Sequence, residues 1–131
     1  LCMGATALMG GEIHAGQVAQ LQVLGEWARP RKHLFSEAVP LGVGPRLTHR
    51  LGFRTLLTRT ADCSLLHIVN MGVPPGPLEV KLAGGRWHGL RAARLEPMGR
   101  ELPLRRVRGG TALALEPRDI DVVDTIVSLW A

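Results

Sequence analysis

The chain ends in Asp121-Val-Val-Asp-Thr-Ile-Val-Ser-Leu-Trp-Ala131, and this stretch does most to decide its fold. β-Branched and large apolar side chains dominate it, which is typical of a strand in a packed sheet. The aspartates before the apolar run are residues that favour a turn leading into a strand. The stretch therefore predicts a buried final β-strand from Asp124 to Trp130.

Upstream of this strand, short apolar runs alternate with turns rich in glycine and proline. Gly109-Gly110 is the clearest hairpin signal, because glycine tolerates the backbone angles of tight turns. The hairpin places Leu113 and Leu115 opposite Leu102, Leu104 and Val107 after a small offset. The other predicted strands are Phe53–Thr58, Ser64–Asn70, Leu78–Leu82, His88–Glu96, Leu102–Arg108 and Thr111–Leu115. Seven strands at this spacing predict a mainly β fold, an antiparallel β-sandwich.

One segment before the strands has a helical period. The helix is predicted from Ile13 to Ala28, with Glu12 at the end where the helix dipole favours an acid and Pro30 at its termination. The apolar stripe that makes it amphipathic consists of Ile13, Val18, Leu21, Leu24 and Ala28.

The pattern changes after Pro40, where Leu41-Gly-Val-Gly-Pro45 is typical of a connector. The chain is therefore predicted to divide into residues 1–40, a loop and helix, and residues 41–131, a sandwich domain. Leu1 stands where an initiator Met would be expected, and the opening residues carry no turn or cap, so we expect the chain to begin inside a larger protein.

Composition narrows the class of protein. With 46% apolar and 21% charged residues, the 131-residue chain can bury a core and is not typical of a disordered one. No apolar run approaches the roughly 18 residues of a membrane-spanning helix, so no membrane partner is expected. The N-terminus lacks the pattern of a secretory signal, but a fragment would have lost one, and the compartment is left open.

The net charge of +5 raises the possibility of a polyanionic partner. However, the arginines are spread along the chain, there is no Tyr, and only two Phe occur. A single-strand binder would need aromatic platforms on a basic face, and a groove reader would need a basic recognition helix. Surface arginines without a nucleic-acid partner are the favoured interpretation.

No cofactor or metal site is predicted. The histidines show no spacing typical of metal ligands, and no serine lies in a nucleophile elbow or phosphate loop. Cys2 and Cys63 are interpreted as structural thiols. His67 falls opposite Leu66 and Ile68 in the alternation of its strand, which predicts a partly exposed strand histidine. The five histidines are His14, His33, His49, His67 and His88.

Two weaker signals could carry chemistry. Asp119, Asp121 and Asp124 lie close in sequence, and glycoside hydrolysis needs two carboxyl groups about 5 to 10 Å apart. Acids that cap a turn are the favoured alternative, with Asp124 bonding backbone N–H groups at the strand entry. Trp87 and His88 form a speculative carbohydrate-contact platform on a strand, and a core or edge tryptophan is the alternative.

Several stretches resemble one family. Gly11-Glu-Ile-His-Ala-Gly-Gln-Val-Ala-Gln-Leu-Gln-Val-Leu-Gly-Glu-Trp27 resembles the late barrel helix of the α-L-fucosidase family of glycoside hydrolases, where Gly-x-Ile, a Gln and Leu-x-x-x-Gly-x-Trp recur in that order. Asp121–Leu129 is similar to the Asp-Thr-Val-Val-x-Leu-Glu strand that closes the family's C-terminal sandwich. Ser64–Asn70 and Ala93–Leu104 resemble strands between these anchors. The chain departs from the family at Cys2–Ala5 and Pro30–Glu37.

The resemblance implies the last helix of a β/α barrel followed by an accessory β-sandwich. In that family the nucleophile and the acid/base precede this helix, so no residue of this chain inherits either role. The parent would hydrolyse α-L-fucosides by a retaining two-carboxylate mechanism, its missing barrel domain would be the partner, and a fucosylated glycan could lie nearby. The alternatives are a stand-alone carbohydrate- or protein-binding sandwich that uses Trp87, and a polyanion binder. The oligomeric state is left open.

Overall fold

The computed structural model describes residues 8–9, 12–13, 15–36, 38–43, 47–48, 52–72, 74 and 76–131. Within these residues the helices are α1 (Ala15–Ala28) and α2 (Lys32–Phe35), joined by a 3-10 turn at Arg29–Arg31. The strands are β1 (Leu8–Met9), β2 (Glu12–Ile13), β3 (Val39–Val43), β4 (Leu47–Thr48), β5 (Phe53–Arg59), β6 (Ser64–Asn70), β7 (Leu78–Ala83), β8 (Ala92–Leu95), β9 (Arg100–Leu102), β10 (Leu104–Val107), β11 (Gly110–Leu115) and β12 (Thr125–Trp130).

The strands form two main antiparallel sheets, which confirms the predicted sandwich. The larger sheet has the order β3-β5-β6-β12-β8-β9, and the smaller one has the order β10-β11-β7-β4. The final strand β12 lies in the interior of the larger sheet, paired with β6 on one side and β8 on the other. Its apolar character follows from its surroundings, because one face of the strand packs in the main core and Ile126 on the other face packs against Leu34 of α2.

The main core lies between the two sheets. Alternate residues of β6 and β12 point inward, and they meet the inward residues of β7 and β11. The buried side chains that make up this core include Leu66, Ile68, Val80, Leu82, Leu113, Leu115, Val127 and Leu129. A second, smaller cluster of Leu34, Leu65 and Ile126 lies on the outer face of the larger sheet, under the helical segment.

The predicted hairpin is present, but its turn and its first strand differ from the prediction. Gly110 is the first residue of β11, and the turn falls at Arg108 and Gly109, where Gly109 has φ of +81°. Leu104 pairs with Leu113 as expected. Leu102 instead ends β9 and pairs with Ala93 in the other sheet, so the predicted strand Leu102–Arg108 is divided at Pro103, which has no N–H for a ladder.

The predicted end of the helix at Ala28 is confirmed, but the helix begins later, and a 3-10 turn and α2 continue the helical backbone beyond it. Ile13 belongs to β2, and α1 starts at Ala15. Pro30 does not end the helical backbone. It lies in the first turn of the 3-10 segment, where a backbone N–H would have no partner within the segment, so the missing N–H of proline costs no hydrogen bond. Leu34 on α2 then packs on the larger sheet. Val18, Leu21, Leu24 and Ala28 of the predicted stripe are half-buried, and no residue of α1 is fully buried.

The described part of the predicted connector after Pro40, residues 41–43, belongs to a strand. β3 forms the edge of the larger sheet, paired with β5 through an irregularity between Pro40 and Gly42. An edge strand tolerates proline because one side of its backbone needs no ladder partner. The division predicted at residue 40 falls inside β3, and it stays a prediction. Gly44, Pro45, Cys2 and Gly10-Gly11 lie outside the described residues.

Candidate functional site

The outer face of the larger sheet carries three polar side chains in one hydrogen-bonded row, here called the polar trio: Thr58, His67 and Asp124. Nδ1 of His67 donates to Oδ2 of Asp124 over 2.7 Å, and Nε2 lies 3.0 Å from the Thr58 hydroxyl. Because a carboxylate can only accept, Nδ1 carries a proton, and the Thr58 hydroxyl provides the partner of Nε2. The ring of Phe35 covers His67, with the ring centroids 6.0 Å apart.

The prediction that His67 lies opposite Leu66 and Ile68 is confirmed, but the predicted partial exposure is wrong. His67 is only 4% exposed, because the helical segment covers this face. The trio has the order hydroxyl, imidazole, carboxylate of a hydrolytic triad. Thr58 is buried, however, so its hydroxyl has no open approach for a substrate. The arrangement is that of a structural network that satisfies buried polar groups.

The three aspartates predicted as candidate acids are engaged in structural contacts. Asp119 is buried, accepts from the Glu116 N–H over 2.8 Å as part of a capping box, and bonds Arg100. Asp121 accepts from the Val123 N–H over 3.0 Å and pairs with Arg31 over 3.0 Å. The backbone contact expected of Asp124 is therefore made by Asp121, and Asp124 bonds His67 instead.

These aspartates line a cleft of about 490 Å³, here called the acidic cleft. The cleft lies between the turn after α1, the turn after β8 and the loop that leads into β12. Arg31 borders it on the helical side, and Glu96 and Met98 border it on the other. Sequence reasoning missed Arg31 and Glu96, because both reach the cleft through tertiary contacts. Arg31 is brought there by its contact with Asp121, and Glu96 by the pairing of β8 with β12.

Trp87 lies in a 3-10 turn at Gly85–Trp87 rather than on the predicted strand His88–Glu96, whose regular part is β8. Its side chain belongs to the main core and is 6% exposed. The Arg86 guanidinium lies 4.4 Å from the centre of the ring, and the Trp87 carbonyl accepts from the Thr111 hydroxyl over 2.9 Å. The burial favours the core interpretation of Trp87, whereas His88 beside it is exposed.

Trp87 also forms part of the wall of a smaller cleft of about 250 Å³, here called the Trp87 cleft. Its polar lining comes from the end of β5, the β5–β6 turn, the start of β6 and the 3-10 turn: Arg59, Thr60, Asp62, Cys63, Ser64 and Arg86. Cys63 is a free thiol in contact with the Thr60 hydroxyl at 3.4 Å. Carbohydrate contact by Trp87 and His88 stays a prediction.

Within the part of the chain that the structure describes, no three His, Cys, Asp or Glu side chains are grouped as a metal site would require. No helix in those same residues is long and apolar enough to cross a membrane. His14 and His49 lie outside the described residues.

Solved structures provide the comparison for this fold. An α-L-fucosynthase from Thermotoga maritima matches with a TM-score of 0.66 and 14% sequence identity, over 91% of this chain and 27% of the fucosynthase chain. The Thermotoga maritima α-fucosidase in complex with a mechanism-based inhibitor matches with a TM-score of 0.65 and 16% identity, over 92% of this chain and 28% of that one. No family model and no curated protein matches.

These matches show a shared fold. The chain spans about a quarter of the length of the two solved structures, so their activity concerns a much larger protein. The likeness covers the helical segment together with both sheets, since more than nine-tenths of this chain is aligned. The fold expected from the sequence resemblance is thereby confirmed.

Proposed function

We propose that this chain is the non-catalytic C-terminal portion of an α-L-fucosidase-like glycoside hydrolase, whose parent hydrolyses α-L-fucosides with two carboxylates. One observation supports it most: the fold matches 91% of this chain but only 27% of the fucosynthase. A segment of that size can serve as an accessory sandwich while the remainder of the parent carries the chemistry.

The state of the aspartates supports a non-catalytic role. Asp119 and Asp121 each accept a backbone N–H and pair with an arginine, and Asp124 is bonded to a buried histidine. A glycosidase acid must approach the glycosidic oxygen, and its partner must reach the anomeric carbon. Carboxylates used in this way to fix turns and a strand entry do not provide such a pair.

Helix α1 is the proposed contact with the missing barrel domain. A shallow groove of about 440 Å³ runs along Ala19, Gln20, Val23 and Leu24, and Val23 is among the exposed large apolar residues. An exposed apolar helix face of this kind is suited to covering by another domain.

Hydrolysis of an aryl α-L-fucoside tests the proposal. The assay is run on this chain alone and on the full gene product that contains it, at equal molar concentration. We expect turnover from the second only. Turnover by this chain that disappears on Asp119→Asn, Asp121→Asn or Asp124→Asn, in variants that remain folded by circular dichroism, would contradict a non-catalytic role.

A stand-alone carbohydrate-binding module is the second candidate, and the Trp87 cleft is the observation that favours it. Its volume of about 250 Å³ suits a ligand of monosaccharide size, and arginine, aspartate and hydroxyl groups surround it. Glycan-array binding that is lost on Arg86→Ala or His88→Ala, both exposed positions, would favour this candidate over the first.

A further inference from the structure

The acidic cleft differs in charge from the molecule around it. Its lining carries four carboxylates, Glu96, Asp119, Asp121 and Asp124, against two guanidiniums, Arg31 and Arg118. The chain as a whole has a net charge of +5. A concave, locally negative surface on a cationic protein concentrates small cations at that place.

Two of these carboxylates lack an arginine or lysine partner in the described structure. Glu96 accepts the Ser128 hydroxyl at Oε1 over 2.7 Å and forms no ion pair with a described residue. Asp124 has a side chain that is 10% exposed, and its Oδ1 atom accepts no hydrogen bond from the described residues. By contrast, Asp119 and Asp121 are paired with Arg100 and Arg31. Glu96 therefore has no ionic partner among the described residues, and the only described partner of the Asp124 carboxylate is His67.

Two strongly exposed apolar side chains line the cleft, beside the exposed guanidinium of Arg118. Met98 is 74% exposed and Val122 is 87% exposed, and both line the cleft from opposite segments of the chain. Large apolar side chains this exposed are suited to contact with an aliphatic group. An acidic interior with apolar residues around it matches a ligand that carries a cation on an alkyl stem.

We infer that the acidic cleft binds an alkylammonium or alkylguanidinium group, the chemistry of a lysine or arginine side chain or of a free diamine. Glu96 accepts a hydrogen bond from the cation, and Asp124 adds its charge from the cleft floor. Met98 and Val122 cover the alkyl stem. The inference rests on the cleft alone and is independent of the proposed parent activity.

Isothermal titration with three probes tests this site: a capped tripeptide with a central lysine, the same peptide with norleucine, and 1,5-diaminopentane. The norleucine peptide keeps the stem and removes the cation. We expect the lysine peptide to bind and the norleucine peptide to show no heat of binding at concentrations up to about 10 mM. Raising the salt concentration should weaken the binding, since the site is partly open to solvent.

Glu96→Gln keeps the acceptor for Ser128 and removes the charge, and we expect it to weaken binding about tenfold or more. Glu101→Gln is the matched control, because it removes the same charge at an exposed position outside the cleft. Asp124→Asn is a second variant, and its binding affinity is compared only if circular dichroism shows that the protein is folded. Equal affinity for Glu96→Gln and Glu101→Gln, or no binding of any cationic probe, would overturn the site.

The two cationic probes identify the source of the ligand. Tighter binding of the lysine peptide than of the diamine indicates a protein side chain, because the peptide backbone then adds contacts at the entrance. Equal or tighter binding of the diamine indicates a free small cation. Whichever probe binds more tightly, its affinity must fall in the Glu96→Gln variant, because both probes are expected to bind in the acidic cleft.

Discussion

Nδ1 of His67 lies 2.7 Å from Oδ2 of Asp124, although 57 positions separate the two residues in the chain. The pairing of β6 with β12 brings them together, since Ile126 is directly opposite His67. The contact joins β6 to the residue that immediately precedes β12, on the face that the helical segment covers. A buried polar contact of this kind stabilises the fold only while both partners are present.

The first prediction concerns that pair. His67→Leu leaves the Asp124 carboxylate buried without its donor, and we expect the free energy of unfolding to fall by about 3 kcal/mol. The double variant His67→Leu, Asp124→Leu should recover a large part of that loss, because both polar groups are removed together. Urea unfolding of the two single variants and the double variant gives the coupling energy, and strictly additive losses would contradict a direct interaction. His88→Leu, at an exposed position, is the control.

The second prediction concerns the hairpin between β10 and β11. A Cβ atom on Gly110 would lie 2.0 Å from the Leu82 carbonyl oxygen of the paired strand β7. Gly110→Ala must therefore push two paired strands apart, and we expect a loss of about 2 kcal/mol or more in thermal or urea unfolding. Gly89→Ala, with nothing within 4 Å of the added atom and no positive φ, should change stability by less than about 0.5 kcal/mol. Similar losses at both positions would rule out the close approach as the cause.

The same glycine shows where sequence reasoning ends. The interior strand β6 was predicted with the bounds that the structure has, Ser64–Asn70, because its alternation reflects burial that a local pattern records. The need for glycine at position 110 arises from the approach of β7, about thirty positions away in the sequence, and no local pattern contains it. A turn centred on Gly109-Gly110 was therefore predicted one residue too far along.

The missed edge strand β3 has a similar cause. Glycine and Pro40 weaken any local strand signal, and the strand forms because β5 offers it an edge. The acidic cleft is likewise set by tertiary pairing, which brings Arg31 next to Asp121 from 90 positions away. Alternation predicts which face of the sheet His67 lies on. It does not predict the burial of His67, because that burial depends on a helical layer that extends past Pro30.

The third prediction concerns Arg31, which fixes the helical segment to the loop before β12. Its guanidinium donates to the Trp27 carbonyl over 2.7 Å and to Asp121 over 3.0 Å, and it lies 4.5 Å from the centre of the Trp27 ring. The single ammonium group of lysine cannot make both hydrogen bonds of the guanidinium, so Arg31→Lys should loosen the helical segment. We therefore expect faster amide hydrogen exchange in α1 and α2. Exchange within β6 and β12 should change little. Arg29→Lys, at an exposed position nearby, should leave both regions unchanged, and equal effects of the two substitutions would contradict the fixing role.

The last prediction separates a core tryptophan from a ligand platform. Trp87 is buried in the main core, so Trp87→Ala should lower the free energy of unfolding by about 3 to 5 kcal/mol through lost packing and a cavity. His88→Ala next to it should be nearly neutral, because that side chain is exposed. Urea unfolding followed by circular dichroism measures both. A Trp87→Ala variant as stable as the unsubstituted chain would mean that the ring contributes little to the core, and the carbohydrate role predicted for Trp87 would then gain weight.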